Sequence, residues 1–192
     1  MRRLFVAVNL PETAKEQLLA FKNTWQEIPG RWTTKENLHI TLVFIGVASE
    51  KETQEIQRIL TEAGRRNQPF AIRFSRIMYG PASPAGRPSH AAPRMIWATG
   101  EAPKEFLDLK KDLEKSLAAS PKLHFKPEQR DSTLHLTLMR IDQWKFANIE
   151  PEERPLVKEG IDIFFPVNSI ELMESKLTPR GAIYSVVQSV SL

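Results

Sequence analysis

The segment Leu38-His39-Ile40-Thr41-Leu42 returns as Leu134-His135-Leu136-Thr137-Leu138, with the two histidines 96 positions apart in a chain of 192 residues. A half-polar strand written twice, half a chain apart, confines the chain to folds in which two equivalent strands face one another. In an extended strand, residues i and i+2 share a face. His39 and Thr41 therefore point one way, and Ile40 and Leu42 the other. His135 and Thr137 repeat the arrangement, with Leu136 and Leu138 behind them. Two such strands predict one cleft lined from both sides by an imidazole and a hydroxyl, a layout for acid–base chemistry on an anion. A single H-x-T-L is a weak signal, since a polar residue on a solvated strand face looks the same. The repetition, in similar apolar surroundings, carries the argument.

The remaining composition narrows the chemistry. A 192-residue chain with 41% hydrophobic residues and four Trp suits one sizeable domain or two intimately packed lobes. There is no Cys, so disulfides, Cys-ligated zinc and thiol nucleophiles are excluded. The four histidines are His39, His90, His124 and His135, and no H-x-H, H-E-x-x-H or carboxylate cluster suggests a metal site. His90 and His124 belong to no pattern and are expected to face solvent. The apolar run after Arg2-Arg3 stops at Asn9-Leu10-Pro11, too short for a signal sequence, and no other stretch approaches a membrane span. A cytoplasmic monomer that does not engage a membrane is expected. Net charge is +4, and from Ile56 to Arg94 seven arginines (58, 65, 66, 73, 76, 87 and 94) accompany one acid, Glu62. That region suits either a polyanionic partner or an Arg-rich solvated surface.

Periodicity predicts a strand over Arg3 to Asn9. A helix follows from Pro11, with Ala14, Leu18, Phe21, Trp25 and Ile28 at helical spacing. Trp32 to Asn37 reads as a connection, and Leu38 to Ile45 as the first motif strand, closed by Gly46. Ser49-x-x-Glu52 is a capping box opening a second helix that ends at Gly64. Strands are expected over Phe70–Tyr79 and Met95–Thr99, with a loop between Gly80 and Arg94. A third helix from Pro103 carries the stripe Phe106, Leu109, Leu113 and Leu117, with outward Asp108–Lys111 and Asp112–Lys115 pairs. The second motif strand spans Thr133 to Ile141, and a loop with at most a short helical turn runs from Gln143 to Glu159. Strands over Ile161–Phe165, Ser169–Glu174 and Ala182–Val190 follow, the last two joined by the turn Thr178-Pro179-Arg180-Gly181. Short turns between successive strands favour antiparallel pairing. The expected class is α+β: two antiparallel sheets with helices packed on their outer faces.

An imidazole titrates near ~6.5, so of two opposed histidines one can serve as base and the other as acid at neutral pH. Threonine hydroxyls can hydrogen-bond the non-bridging oxygens of a phosphate. Two of each suit in-line displacement at phosphorus, and a strained cyclic phosphate supplies its own reactivity without a metal. No Ser or Cys nucleophile accompanies the histidines, which disfavours acyl transfer.

The chain resembles the 2H phosphoesterase superfamily, named for paired H-x-T/S motifs. Within it, the chain is similar to the RNA 2′,3′-cyclic phosphodiesterases, also called 2′-5′ RNA ligases. The resemblance rests on Arg3-Leu-Phe-Val-Ala-Val-Asn-Leu-Pro11, on Trp32 with Asn37-Leu-His-Ile-Thr-Leu-Val-Phe-Ile-Gly46, and on Pro93-Arg-Met-Ile-Trp97. His135-Leu-Thr-Leu-Met-Arg140 and Ser175-x-Leu-x-Pro-x-Gly-x-x-Tyr184 complete it. It implies a bilobal, pseudo-twofold fold over residues 1–192 with a central cleft. It implies metal- and cofactor-free hydrolysis of an RNA 2′,3′-cyclic phosphate to a 2′-phosphomonoester, and in reverse a 2′-5′ ligation. His39 is then the proton donor and His135 the acceptor, Thr41 and Thr137 bind the phosphate, and RNA ends or cyclic nucleotides are the partners.

Arg140 matches a family arginine near the bound nucleotide, yet strand parity places it opposite His135 unless a bulge re-aims it. Phe5 and Tyr184 could stack on a base, with buried core the favoured reading of Phe5. Leu134 stands where the family often has Pro, after the polar segment Glu128 to Thr133, a departure at the mouth of the cleft. Two other functions fit the same residues: a phosphodiesterase acting on a small cyclic phosphate or a 2′-5′ oligonucleotide, and a non-catalytic nucleotide- or RNA-binding module.

Overall fold

The computed structural model describes residues 1–81, 93–128, 133–179 and 181–192. Strands β1 (Arg2–Asn9), β3 (His39–Ala48), β8 (Ser169–Thr178) and β9 (Gly181–Ser191) form a four-stranded antiparallel sheet in the order β3-β1-β8-β9. Strands β2 (Gly30–Trp32), β4 (Phe70–Gly80), β5 (Met95–Thr99), β6 (His135–Ile141) and β7 (Lys158–Val167) form a second, in the order β2-β6-β5-β4-β7. The motif strands β3 and β6 belong to different sheets and touch each other. The expected α+β architecture, two antiparallel sheets about a cleft with helices outside, is what the chain adopts.

The duplication reaches down to the register. Asn9 pairs with His39, and Ala7 with Thr41; Leu42 is then left out of the ladder and Val6 pairs with Val43. In the other sheet Thr99 pairs with His135 and Trp97 with Thr137; Leu138 is left out and Ile96 pairs with Met139. Both motif strands thus carry a one-residue bulge at the same point after the threonine. Their backs are fully apolar: Leu38, Ile40, Leu42, Leu134, Leu136 and Leu138 are all buried.

The helices α1 (Glu12–Leu19), α2 (Glu50–Arg66) and α3 (Lys104–Ala119) cover the outer faces, with a short α4 (Gln143–Ala147) after β6. The α2 capping box is formed, Ser49 N–H donating to Glu52 at 2.7 Å and Glu52 N–H to Ser49 Oγ at 3.3 Å. The α3 stripe of Phe106, Leu109, Leu113 and Leu117 is buried, and Phe106 meets Phe70 of β4 edge-on. No helix among the described residues is long and apolar enough to cross a membrane.

Several boundaries differ from expectation. The first helix ends at Leu19 and runs on as a tighter 3-10 turn over Ala20–Asn23, with Pro11 as its N-cap; Trp25 and Ile28 are buried without being helical. Trp32, expected to open the connection before the first motif, ends strand β2, since Gly30, Arg31 and Trp32 pair with Ile141, Arg140 and Met139. Gly46 does not close its strand. It lies inside β3 at φ +96°, where a second bulge lets the chain continue to Ala48. The expected outward pairs are not formed: Asp112 is drawn to Arg66 of α2, Asp108 pairs outward with Lys104, and the Lys110–Glu114 pair is largely covered. Most of the expected loop, residues 82–92 with His90 and Arg87, lies outside the described residues, whereas Gly80 closes β4.

Gly64 is likewise inside α2, not beyond its end, and permits close packing against β9. A Cβ there would stand 2.5 Å from the Ser191 carbonyl oxygen and closer still to Val190 Cγ1. In an open helix Gly→Ala stabilises by roughly 0.5–1 kcal/mol. Here the backbone of β9 blocks the methyl, so Gly64→Ala is expected to destabilise by about 1–3 kcal/mol, as overpacking does. Urea unfolding of the variant measures this; a gain in stability would mean that α2 and β9 are not in close contact.

Candidate active site

Each motif histidine is anchored in the same way. His39 Nδ1 lies 2.7 Å from the carbonyl oxygen of Asn37, and His135 Nδ1 lies 3.1 Å from that of Thr133, each two residues upstream. A carbonyl can only accept, so Nδ1 carries the hydrogen and Nε2 is left to exchange a proton with a ligand. The Asn37 side chain donates to the Ala182 carbonyl at 3.0 Å, tying the approach to His39 to the β8–β9 hairpin.

The ring environments differ between the halves. His39 sits 5.0 Å from Phe5 and 5.0 Å from Tyr184, edge-on to the latter. Phe5 and Tyr184 are themselves in edge contact at 5.2 Å. Phe5, Ala7 and Met173 form a small apolar cluster apart from the main core, with Tyr184 packed on it. His135 instead stacks on the indole of Trp97, centroids 4.1 Å apart and planes inclined by 26°. Trp97 occupies the register position that Ala7 holds in the other half, and its buried Nε1 finds no hydrogen-bond partner among the described residues. A Cβ on Gly80 would run into that indole, so a glycine is required behind it.

The bulges decide what stands beyond the threonines. Past Leu138 the alternation restarts: Met139 is buried and Arg140 exposed, opposite Met95. Arg140 therefore shares the face of His135 and Thr137, and the simple parity that would turn it away is overturned by the extra residue. Its guanidinium lies 3.8 Å from Met95 Sδ, and the Thr137 hydroxyl points at the same sulfur at 3.7 Å. In β3 the equivalent bulge brings out Phe44, opposite Phe5 and 61% exposed.

Burial pushes both imidazoles below their usual range. For His39 desolvation is the main cause, opposed by the Asn37 carbonyl and assisted by the positive charges of Arg140 and His135. His39 thus senses both residues of the facing sheet across the cleft. For His135 desolvation again leads, opposed by the Thr133 carbonyl, while Lys110 of α3 lowers and Glu128 raises it. Both shifts favour the neutral imidazole in the free protein. Among the described residues no group of three or more His, Asp or Glu could hold a metal ion.

The Arg-rich stretch does not assemble into one surface. Arg58 pairs with Glu55 and Glu62 on α2 itself, Arg66 with Asp112, and Arg73 with Asp162. Of the described members, Arg76 is on the cleft side, in the row Arg76–Thr99–His135. His124 is exposed, as expected.

Of the residues singled out in the sequence, His39, Tyr184 and buried Phe5 are in mutual contact, and His135, Thr137 and Arg140 share one strand face. Trp97 and the two backbone carbonyls were missed as parts of the site. Aligning Phe5-Val-Ala-Val-Asn9 with Met95-Ile-Trp-Ala-Thr99 as equivalent strands would have pointed to Trp97. A carbonyl partner leaves no mark in a sequence.

Paired H-x-T strands in equivalent register across a two-sheet cleft define a phosphoesterase scaffold. The family model described as the 2′-5′ RNA ligase superfamily matches residues 12–178, and the chain belongs to that family. It is 29% identical over 189 residues to an RNA 2′,3′-cyclic phosphodiesterase of Methanocaldococcus jannaschii, covering 97% of this chain and 98% of that one. It is 30% identical over 186 residues to a protein of the same name from Archaeoglobus fulgidus, covering 95% and 96%. Among solved structures, TT0787 of Thermus thermophilus superposes with a TM-score of 0.80 at 26% identity, over 99% of this chain and 97% of that one. Escherichia coli LigT complexed with 3′-AMP shares the fold, with a TM-score of 0.72 at 23% identity over 100% and 98%.

In an NMR titration, His39 and His135 are expected to protonate below the ~6.5 of an ordinary imidazole. A midpoint at or above that value for either ring would contradict its burial. The unfolded chain then binds these protons more readily than the folded one, so stability is full above the unfolded pKa and falls as pH drops through the window down to the lowered folded values.

Proposed function

We propose that the chain hydrolyses the terminal 2′,3′-cyclic phosphate of RNA to a 2′-phosphomonoester by paired-histidine acid–base catalysis. The observation that carries this reading is the repeated anchoring of the two imidazoles. Each is held through Nδ1 by a carbonyl two residues upstream, with Nε2 left for the ligand. The names of the relatives support the substrate class.

In this reading His135 Nε2 takes a proton from water as its oxygen bonds to phosphorus. The P–O3′ bond breaks on the opposite side, and His39 Nε2 delivers its proton to the departing O3′. Thr41 and Thr137 hydrogen-bond the non-bridging oxygens, and Arg140 offsets the charge that gathers there. Tyr184, against His39, presents an aromatic edge to the terminal nucleoside. Stacking on Trp97 keeps the His135 ring in one plane and favours the imidazolium it becomes. His39 must be protonated beforehand although burial disfavours it; the anionic ester supplies the compensating charge when it binds. With a 5′-hydroxyl in place of water, the same displacement forms a P–O5′ bond as P–O3′ breaks and gives a 2′-5′ linkage.

His39→Ala and His135→Ala are each expected to lower kcat by at least the roughly 10²- to 10⁴-fold of one lost proton transfer, with unchanged urea midpoints. Thr41→Ala and Thr137→Ala remove one hydrogen bond and should be milder. Near-wild-type turnover in either His variant would exclude the paired mechanism. Activity on a cyclic-phosphate-ended oligoribonucleotide should persist in chelator; loss restored by one divalent ion would replace this mechanism with a metal-assisted one.

A further inference from the structure

We propose that Met95 is a positioning residue of the phosphate site: its thioether holds Thr137 and Arg140 in the free protein as a weak acceptor, and the phosphate takes both donors from it on binding. This rests on the reading of the cleft as a cyclic-phosphate site.

Two donors of the second motif strand converge on one sulfur. The Thr137 hydroxyl donates to Met95 Sδ at 3.7 Å, and the Arg140 guanidinium at 3.8 Å. Among the described residues neither side chain has another hydrogen-bond or ion-pair partner. The ladder brings them together. Arg140 is directly opposite Met95, Thr137 is opposite Trp97, and the bulge at Leu138 falls between the two pairs. On its other side Met95 faces Gly80 of β4, which presents no side chain to compete for the space.

The other half of the molecule offers an internal comparison. Phe5 holds the register position of Met95, since Phe5 pairs with Phe44 as Met95 pairs with Arg140. A phenyl ring accepts no hydrogen bond of this kind, and the residue that the bulge brings out there is not a cation. The acceptor therefore occurs only in the half where a guanidinium has to be held.

The chemistry of sulfur suits a temporary partner. A thioether is a weak acceptor. Hydrogen bonds to an ionised oxygen are roughly twice as strong as neutral ones, so an arriving phosphate outcompetes it. A carboxylate at this position would keep both donors, and a hydrocarbon would leave the long arginine side chain to its full rotamer freedom. Holding Arg140 beforehand reduces the ordering that binding must impose. Met95 and Thr137 are half-buried and Arg140 is exposed, so the cluster opens to the cleft.

Met95→Leu keeps the bulk and removes the acceptor, a swap that packing tolerates. Its Kd for a nucleoside 2′-monophosphate and its KM for a 2′,3′-cyclic mononucleotide are expected to rise about three- to tenfold, the worth of one or two ordinary hydrogen bonds. The kcat should stay within about twofold, as for a loss of uniform binding, and the urea midpoint should not move. With Thr137→Ala and Arg140→Ala already in place, the same substitution should change the Kd, read by NMR titration, by less than about twofold. Hydrogen peroxide tests the opposite change. The sulfur gains an oxygen as the peroxide is reduced to water, and the sulfoxide oxygen is polar and a strong acceptor. Peptide mass spectrometry follows the reaction, with Met1, 91% exposed, as the reference. Wild type carrying the Met95 sulfoxide is expected to bind the 2′-monophosphate more weakly than Met95→Leu, whereas peroxide should leave Met95→Leu within about twofold of its untreated affinity. Unchanged affinity in Met95→Leu, an equal penalty without Thr137 and Arg140, a sulfoxide that binds no worse than leucine, or a Met95 that stays reduced while Met1 is consumed would each overturn the proposal. If wild type binds the 2′-monophosphate but turns over no cyclic phosphate, the cyclic-phosphate reading fails and the titrations still decide the role of Met95. If it binds neither, both fall.

Discussion

The site depends on the apolar backs of two strands. Leu38, Ile40 and Leu42 on one side, and Leu134, Leu136 and Leu138 on the other, are buried in the main core. Each such side chain contributes about 1.5–3 kcal/mol on leaving water. Because side chains alternate, a slip of one residue in either strand would exchange three of these for a histidine and a threonine. The imidazoles therefore face the cleft because their neighbours cannot. The fixed register also sets the main-chain geometry that brings the Asn37 and Thr133 carbonyls to the Nδ1 atoms. Packing behind the strand in this way selects the tautomer in front of it.

The same leucines supply the bulges. A strict two-residue alternation would bury whatever follows the threonine by three positions. The unpaired Leu42 and Leu138 reset it, and both are buried even though they drop out of the ladder. One side chain beyond each motif is returned to the cleft face: Phe44 in one half and Arg140 in the other. The duplicated frame thus carries different cargo. Around His39 the additions are aromatic: Phe5, Phe44 and Tyr184. Around His135 they are a single stacked indole and, further along the same face, Arg140.

The core-forming pattern was legible in the sequence because it is local. The capping box at Ser49, the α3 stripe, the motif strands and the β8–β9 turn all follow from spacing within one element. What escaped depends on partners distant in the chain. Arg31 belongs to a strand only because Arg140 is there to pair with it, so nothing within Gly30–Trp32 marked it as one. Gly64 resembles a helix end until β9 is placed against it. The Arg-rich stretch read as either a surface for a polyanion or ordinary solvated surface, and that choice turned on Arg66 and Arg73 finding Asp112 and Asp162 in other parts of the fold. Arg140 could be placed only by a bulge, and nothing in Leu138 announces that it stands outside the ladder.

In the proposed mechanism, this asymmetry bears on how a symmetric pair of histidines would perform an unsymmetric reaction. Hydrolysis of a cyclic ester needs one ring to give a proton and the other to take it, and two identical half-sites would not distinguish them. Burial lowers both pKa values, so desolvation alone does not assign the roles. The surroundings can. The aromatic walls about His39 suit a nucleoside, whose departing oxygen then lies beside that ring, while stacking on Trp97 suits a ring that gains positive charge during the step. With the nucleoside held on the aromatic side and charge compensated on the side of Arg140, the proposed substrate would enter in one orientation. The proposed division of labour between the histidines would then follow from substrate placement, not from any difference in the H-x-T motifs themselves.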